Sequence, residues 1–137
     1  MGRRAESLAA RIEEGAAGLT AFAGGLSDAD WGTPTSSTDR RTVGQIVNHV
    51  ALAYPIEIDL ARAIAGGNAV TDVTWQVVAD MNANHAREHA KVTKAAALDL
   101  LRQNSGQAAK AVRAFSDEEL DRAAPFSLSF GAPVTAQ

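Results

Sequence analysis

The chain has 137 residues, of which 46% are hydrophobic and 21% charged, and its formal net charge is −3. This composition indicates one globular domain and excludes a largely disordered chain. The basic residues are scattered, so no nucleic-acid partner is expected. The absence of cysteine excludes disulfides and a cysteine nucleophile. No apolar run approaches the roughly 20 residues that span a bilayer, so we expect no membrane association and a cytoplasmic location.

Apolar residues at helical spacing predict a first helix over residues 4–25. Gly24 and Gly25 are expected to end this helix, and a polar loop over residues 31–41 follows. The buried stripe of the first helix is predicted to consist of Leu8, Ile12, Leu19, Phe22 and Leu26.

The second predicted helix is the most apolar segment of the chain. Thr42 and Gln45 fit a capping box, in which each side chain satisfies a backbone amide at the helix start. The helix is therefore expected over residues 43–65. Pro55 removes the hydrogen bond to the carbonyl of Ala51, which predicts a kink. Two shorter helices that meet near Pro55 are the alternative.

Two more helices are predicted before the tail. A shorter helix covers residues 74–90, and Thr93 is expected to cap a third long helix that reaches Phe115. Ser27 and Ser116, each followed by acidic residues, are expected to cap short helical turns. Residues 133–135 are predicted to lead into another helix, with Thr135 as its cap. The buried stripe of the third long helix is predicted to be Leu98, Leu101, Ala108, Val112 and Phe115.

Three histidines are the main candidates for a functional site. His85 and His89 are four residues apart, so both project from one side of a helix and could bind a metal ion together. His49 lies alone in the second helix. A structural role is the alternative for each of them, because a zinc site generally needs at least three protein ligands.

Four stretches in combination resemble the DinB-like superfamily, including its mycothiol-dependent maleylpyruvate isomerase-type members. They are GLSDADW, RTVGQIVNHVALAYPIEIDLARAIAGG, DMNANHAREHAKVTKAAALDLLRQN and AFSDEELDRAAPFSLSFGAPVT. The resemblance implies an all-α, four-helix bundle in up-down-down-up order, of which this chain has about three long helices. Residues 1–137 are accordingly expected to form a single DinB-like domain that is incomplete at its C-terminus.

The resemblance also implies a divalent metal, zinc or nickel, bound by three histidines. One of these matches His49. The other two belong to an H-x3-H motif on the fourth helix, for which this chain has no matching residues. His49, His85 and His89 together are a substitute set that would use every histidine of the chain.

Two functions follow from the resemblance and its departures. The first is a metal-dependent S-transferase or isomerase that uses a low-molecular-weight thiol such as mycothiol or bacillithiol on a small-molecule substrate. The alternative is a non-catalytic helical bundle that acts through self-association or small-ligand binding. Three broad apolar faces usually need a fourth helix. We therefore expect a second subunit, in a homodimer, to cover them; the alternatives are that the C-terminal tail covers them or that the chain is a shortened version of a longer protein.

Overall fold

The computed structural model describes residues 2–137, which are mostly helical. The helices are α1 (Arg3–Gly24), α2 (Asp28–Trp31), α3 (Val43–Ala65), α4 (Trp75–Glu88), α5 (Lys94–Arg113) and α6 (Asp117–Asp121). Two short antiparallel strands, β1 (Ala123–Pro125) and β2 (Pro133–Thr135), follow α6. The predicted all-α class is confirmed. Within residues 2–137, no helix combines the length and apolar character needed to cross a bilayer.

Local capping chemistry determines where the helices begin. The predicted bounds of α3 are confirmed: the Thr42 hydroxyl accepts from the Gln45 amide, and the Gln45 carbonyl oxygen Oε1 accepts from the Thr42 amide at 2.7 Å. Ser27 and Ser116 form reciprocal capping boxes of the same kind at α2 and α6. Thr93 accepts from the amide of Ala96 and caps α5. These bonds satisfy amides that would otherwise lack a partner.

The long helix α3 runs without a break through Pro55, so the prediction of one helix rather than two is confirmed. Proline has no N–H for the carbonyl of Ala51. The side-chain amide of Asn104 on α5 donates to that carbonyl instead, at 2.8 Å. A contact between helices thus replaces the missing bond within α3, because a buried carbonyl without a donor is costly.

We expect Asn104→Leu to lower the free energy of unfolding by about 1–3 kcal/mol, since it keeps the side-chain volume but leaves the Ala51 carbonyl unsatisfied. In a Pro55→Ala background, the amide of residue 55 can donate to that carbonyl, and the loss should shrink. Chemical denaturation of the four proteins of this double-mutant cycle provides the measurement. An equal loss in both backgrounds would contradict the replacement.

The helix α5 lies between α1 and α3 and packs against both. Small residues form the contact with α1: Ala5, Ala9, Ala16 and Ala23 are the buried residues of that helix. The predicted stripe of larger residues on α1 is displaced from the core, with Leu8, Ile12 and Leu19 half-buried and Phe22 63% exposed. Alanines let two helix backbones approach closely, so the larger side chains lie beside the contact.

The stripe predicted for α5 is largely confirmed. Leu101 and Ala108 are buried, as are Val112 and Phe115, while Leu98 is half-buried. Leu101 is completely buried and packs in one cluster with Ala16 and Ala51. The core therefore follows α5 along its length, between α1 and α3.

The tail differs from its prediction. Residues 133–135 form β2 and pair with residues 123–125, so Thr135 lies opposite Ala123 rather than capping a helix. Val134 and the buried Ala124 pack against Ile64. The prolines could open a helix or take extended backbone; burial of this small apolar cluster selects the extended form.

Candidate functional site

The three histidines lie between α3 and α4. Of these two helices, α4 has no fully buried residue. A polar contact attaches this helix to α3: the Gln45 amide nitrogen Nε2 donates to the carbonyl of Ala86 at 2.7 Å. Gln45 is itself buried, and its Oε1 is already used at the start of α3. One side chain thus caps α3 and positions the end of α4 that carries His85.

All three predicted candidates are brought together. His49 comes from the second turn of α3, His85 from the last turn of α4, and His89 from the residue that ends that helix. The His49 and His85 rings are 5.3 Å apart between centroids in an edge-to-face arrangement. The His85 and His89 rings are 4.6 Å apart and tilted by 32°. The side chains form a half-exposed row with His85 in the middle.

Asn48 holds the middle ring of this row. Its side-chain nitrogen Nδ2 lies 3.1 Å from His85 Nε2, and since an amide nitrogen only donates, Nε2 accepts. The proton of neutral His85 is therefore on Nδ1. Asn48 is 2% exposed, so its amide is fixed by the protein around it. This bond uses the Nε2 lone pair that a metal ion would need.

Burial and neighbouring positive charge favour neutral imidazoles here. Burial lowers the pKa of His49, and the charge of Arg41 lowers it further, against an opposing effect of Glu57. Burial also lowers the pKa of His85, followed by the charges of His89, His49 and Arg41. Both rings are therefore neutral near pH 7 and can accept a hydrogen bond or bind a cation.

Arg41 is held beside this site by Asp39. The guanidinium binds the carboxylate through Nε at 3.0 Å and Nη2 at 2.6 Å. This pairing lowers the pKa of Asp39 to about 2, so both groups stay charged at neutral pH. The Arg41 guanidinium is thus a fixed positive charge near His49.

The three rings have the donor chemistry of a zinc-class ion, and two of their three spacings suit one: 5.3 Å for His49–His85 and 4.6 Å for His85–His89. Rings that share a tetrahedral zinc with Zn–N distances of about 2.0–2.1 Å have centroids about 5 Å apart. Their present orientation differs from a ligating one: within residues 2–137, no group of three or more His, Cys, Asp or Glu side chains is arranged to hold a metal ion. Binding through His85 Nε2 would require that atom to leave Asn48.

A comparison with sequence models of known families identifies the family of this chain. The sequence model of the mycothiol maleylpyruvate isomerase N-terminal domain matches residues 12–135. The chain belongs to this family. The predicted membership of the DinB-like superfamily is thereby confirmed.

A solved structure supports the same fold. YfiT from Bacillus subtilis is described as a probable metal-dependent hydrolase with an unusual four-helix bundle topology. It superposes with a TM-score of 0.73 at 14% sequence identity, over 99% of this chain and 75% of YfiT. At that identity the likeness shows the fold of this mycothiol maleylpyruvate isomerase-type domain. A search of curated proteins found no match.

The sequence of this family member predicts the candidate histidines but not their supporting residues. Asn48 carries no motif, although its position directly before His49 could have drawn attention to it. The capping box predicts the role of Gln45 Oε1 at the start of α3. No pattern of neighbouring residues predicts the bond from Gln45 Nε2 to the Ala86 carbonyl of α4. The metal-ligand roles of His49, His85 and His89 stay predictions.

Proposed function

We propose that this domain binds one divalent metal ion of the zinc or nickel class through His49, His85 and His89, and that it acts as a metal-dependent S-transferase or isomerase on small molecules. Its co-reactant would be a low-molecular-weight thiol of the mycothiol or bacillithiol type. The observation that carries the proposal is the meeting of all three histidines of the chain between α3 and α4. Membership of a mycothiol-dependent isomerase family supports the choice of thiol chemistry.

The chain's own residues would prepare the site. Burial keeps His49 and His85 neutral, which is the state that ligates a metal. Gln45 fixes the α4 backbone beside His85, whereas Asn48 would have to release His85 Nε2 for the ion to bind there. A bound metal would lower the pKa of a coordinated thiol or water and so supply a nucleophile at neutral pH. The thiol would come from the co-reactant, because the chain has no cysteine.

Metal content tests the proposal. The protein would be purified after growth with zinc or nickel, dialysed, and analysed for metal beside His49→Ala and His85→Ala. We expect about one ion per chain in the unmodified protein and loss of the ion in both variants, because removal of one of three histidines leaves too few ligands. Asn84→Ala, an exposed change on the same helix as His85, is the matched control and should retain the metal.

The pattern of loss separates the two ligand sets. Loss in His49→Ala alone would overturn the role of His85 and favour a set that contains His49 without the α4 pair. A metal-free unmodified protein after supplementation with either metal would contradict the proposal as a whole. Circular dichroism of each variant shows whether the helices remain, so that a loss of metal is not confused with unfolding.

The Asn48–His85 bond favours a second candidate, a non-catalytic helical bundle that binds a small polar ligand. In that case Asn48 and the neutral histidines would offer hydrogen bonds to the ligand, and no metal would be needed. A domain that takes up neither zinc nor nickel but whose histidine NMR signals shift with a small thiol would support this alternative.

A further inference from the structure

The two buried polar side chains of α3, Gln45 and Asn48, differ in what they bind. Both hydrogen bonds of the Gln45 side chain go to backbone groups, the Thr42 amide and the Ala86 carbonyl. They are explained by the start of α3 and by the attachment of α4. Asn48 bonds instead to a side chain that could ligate a metal, with its Nδ2 at 3.1 Å from His85 Nε2. The hydrogen bonding of Asn48 therefore belongs to the histidine site.

The side-chain amide of Asn48 has one partner and is almost completely enclosed. Its bond to His85 is the only hydrogen bond that this side chain makes within residues 2–137. Because Asn48 is buried, bulk water has little access to the amide if that bond breaks. A buried donor without an acceptor is costly, so the loss of His85 as a partner has to be compensated at the site itself.

Binding of a metal ion through His85 Nε2 would break this bond, since the nitrogen has one lone pair and cannot give it to both partners. The Nδ2 donor of Asn48 would then lack its acceptor. The other two rings of the row cannot replace it, because His49 and His89 would use their own lone pairs on the same ion. The row is half-exposed, so a small molecule that carries a lone pair can reach the donor.

We propose that Asn48 is a binding residue for the small-molecule thiol, and that its Nδ2 donor passes from His85 Nε2 to the sulfur of that molecule when the ion binds. The inference rests on the proposed function, because only a bound ion frees the donor. Arg41 favours the same kind of partner: its guanidinium, held by Asp39, is a fixed positive charge near the row and attracts an anion. The ligand class is therefore a small thiol in its anionic form.

This exchange of partners links the two binding events. Without the thiol, binding of the ion leaves the buried donor of Asn48 unsatisfied, whereas with the thiol the donor has an acceptor. The ion and the thiol should therefore favour each other's binding. Because such coupling is reciprocal, each raises the affinity for the other by the same factor.

Asn48→Leu tests the exchange, because leucine has a similar size and no donor. Isothermal titration calorimetry would measure zinc binding to the metal-free protein, and then 2-mercaptoethanol binding to the zinc-loaded protein. We expect the variant to bind zinc about tenfold more tightly, since nothing competes for His85 Nε2, and 2-mercaptoethanol about tenfold more weakly, since the donor is gone. A purely structural role of Asn48 would weaken both. Asn84→Leu, the same change at an exposed position of α4, should alter neither constant.

Asn48→Ala repeats the test without an added bulky side chain, and circular dichroism shows which variants keep their helices. Metal analysis after the thiol titration shows whether the zinc has stayed on the protein. Equal thiol affinity in the unmodified protein and in both variants would overturn the role of Asn48 and leave the metal site in place, as would zinc binding that weakens in both variants. An unmodified protein that binds no zinc would overturn the proposed function, and the exchange with it.

Discussion

Gly44→Ala is expected to lower the free energy of unfolding by about 3 kcal/mol, although alanine is the better helix former. A methyl group at residue 44 would lie 2.3 Å from Cε2 and 2.4 Å from Nε1 of Trp31. The indole cannot give way easily, because it is 9% exposed and its Nε1 donates to the carbonyl of Val92 at 2.9 Å. The close approach of α3 to this ring is what requires glycine.

A double-mutant cycle with Trp31→Ala checks the cause. Trp31→Ala alone should be strongly destabilising, by about 3–5 kcal/mol. In that background Gly44→Ala has no ring to meet, and it should stabilise by about 0.5–1 kcal/mol through helix propensity. Gly106→Ala on α5 is the matched control, since nothing lies within 4 Å of its added methyl group. Simple additivity of the Gly44 and Trp31 changes in chemical denaturation would contradict this explanation.

Gln45→Leu is expected to cost about 2–4 kcal/mol and to loosen α4 from the bundle. The change removes the acceptor for the Thr42 backbone amide and the donor to the Ala86 carbonyl, and it places an apolar side chain of similar size at this buried position. Because no residue of α4 is fully buried, that helix has little apolar packing to replace the lost bond. Amide hydrogen exchange of α4 should therefore accelerate more than that of α5.

Thr42→Val provides the control for this prediction. It removes the hydroxyl that accepts from the backbone amide of Gln45 but leaves the bond from the Gln45 side chain to the Ala86 carbonyl in place. We expect a loss of about 0.5–2 kcal/mol, typical of a missing cap, without faster exchange in α4. If Thr42→Val and Gln45→Leu accelerate exchange in α4 equally, the Gln45 side chain does not attach α4 in the way inferred.

The helices of this protein are predictable because their ends depend on neighbouring residues. The capping box of Thr42 and Gln45 fixes the start of α3, and Ser27 and Ser116 act in the same way. The α1 core stripe is less predictable, since periodicity gives weight to large residues whereas close packing with α5 selects the alanines. The strand at residues 133–135 depends on a partner strand, and no local pattern specifies that pairing.

In the candidate site too, features that depend on neighbouring residues are predictable and contacts between distant residues are not. The residue types and the four-residue spacing of His85 and His89 are visible in the sequence, and so is the family match of His49. Their contact is not, because it depends on how α4 packs against α3 through Gln45 and Asn48. Capping bonds are local, whereas these two bonds join positions 41 and 37 residues apart.

The most direct test of a metal centre between α3 and α4 is a zinc titration followed by NMR of the imidazole nitrogens. We predict that the signals of His49, His85 and His89 change together and stop changing at one zinc per chain. The His85 Nε2 signal should report loss of its hydrogen bond to Asn48 as the ion binds. Imidazole signals that stay unchanged in excess zinc would contradict the three-histidine metal site.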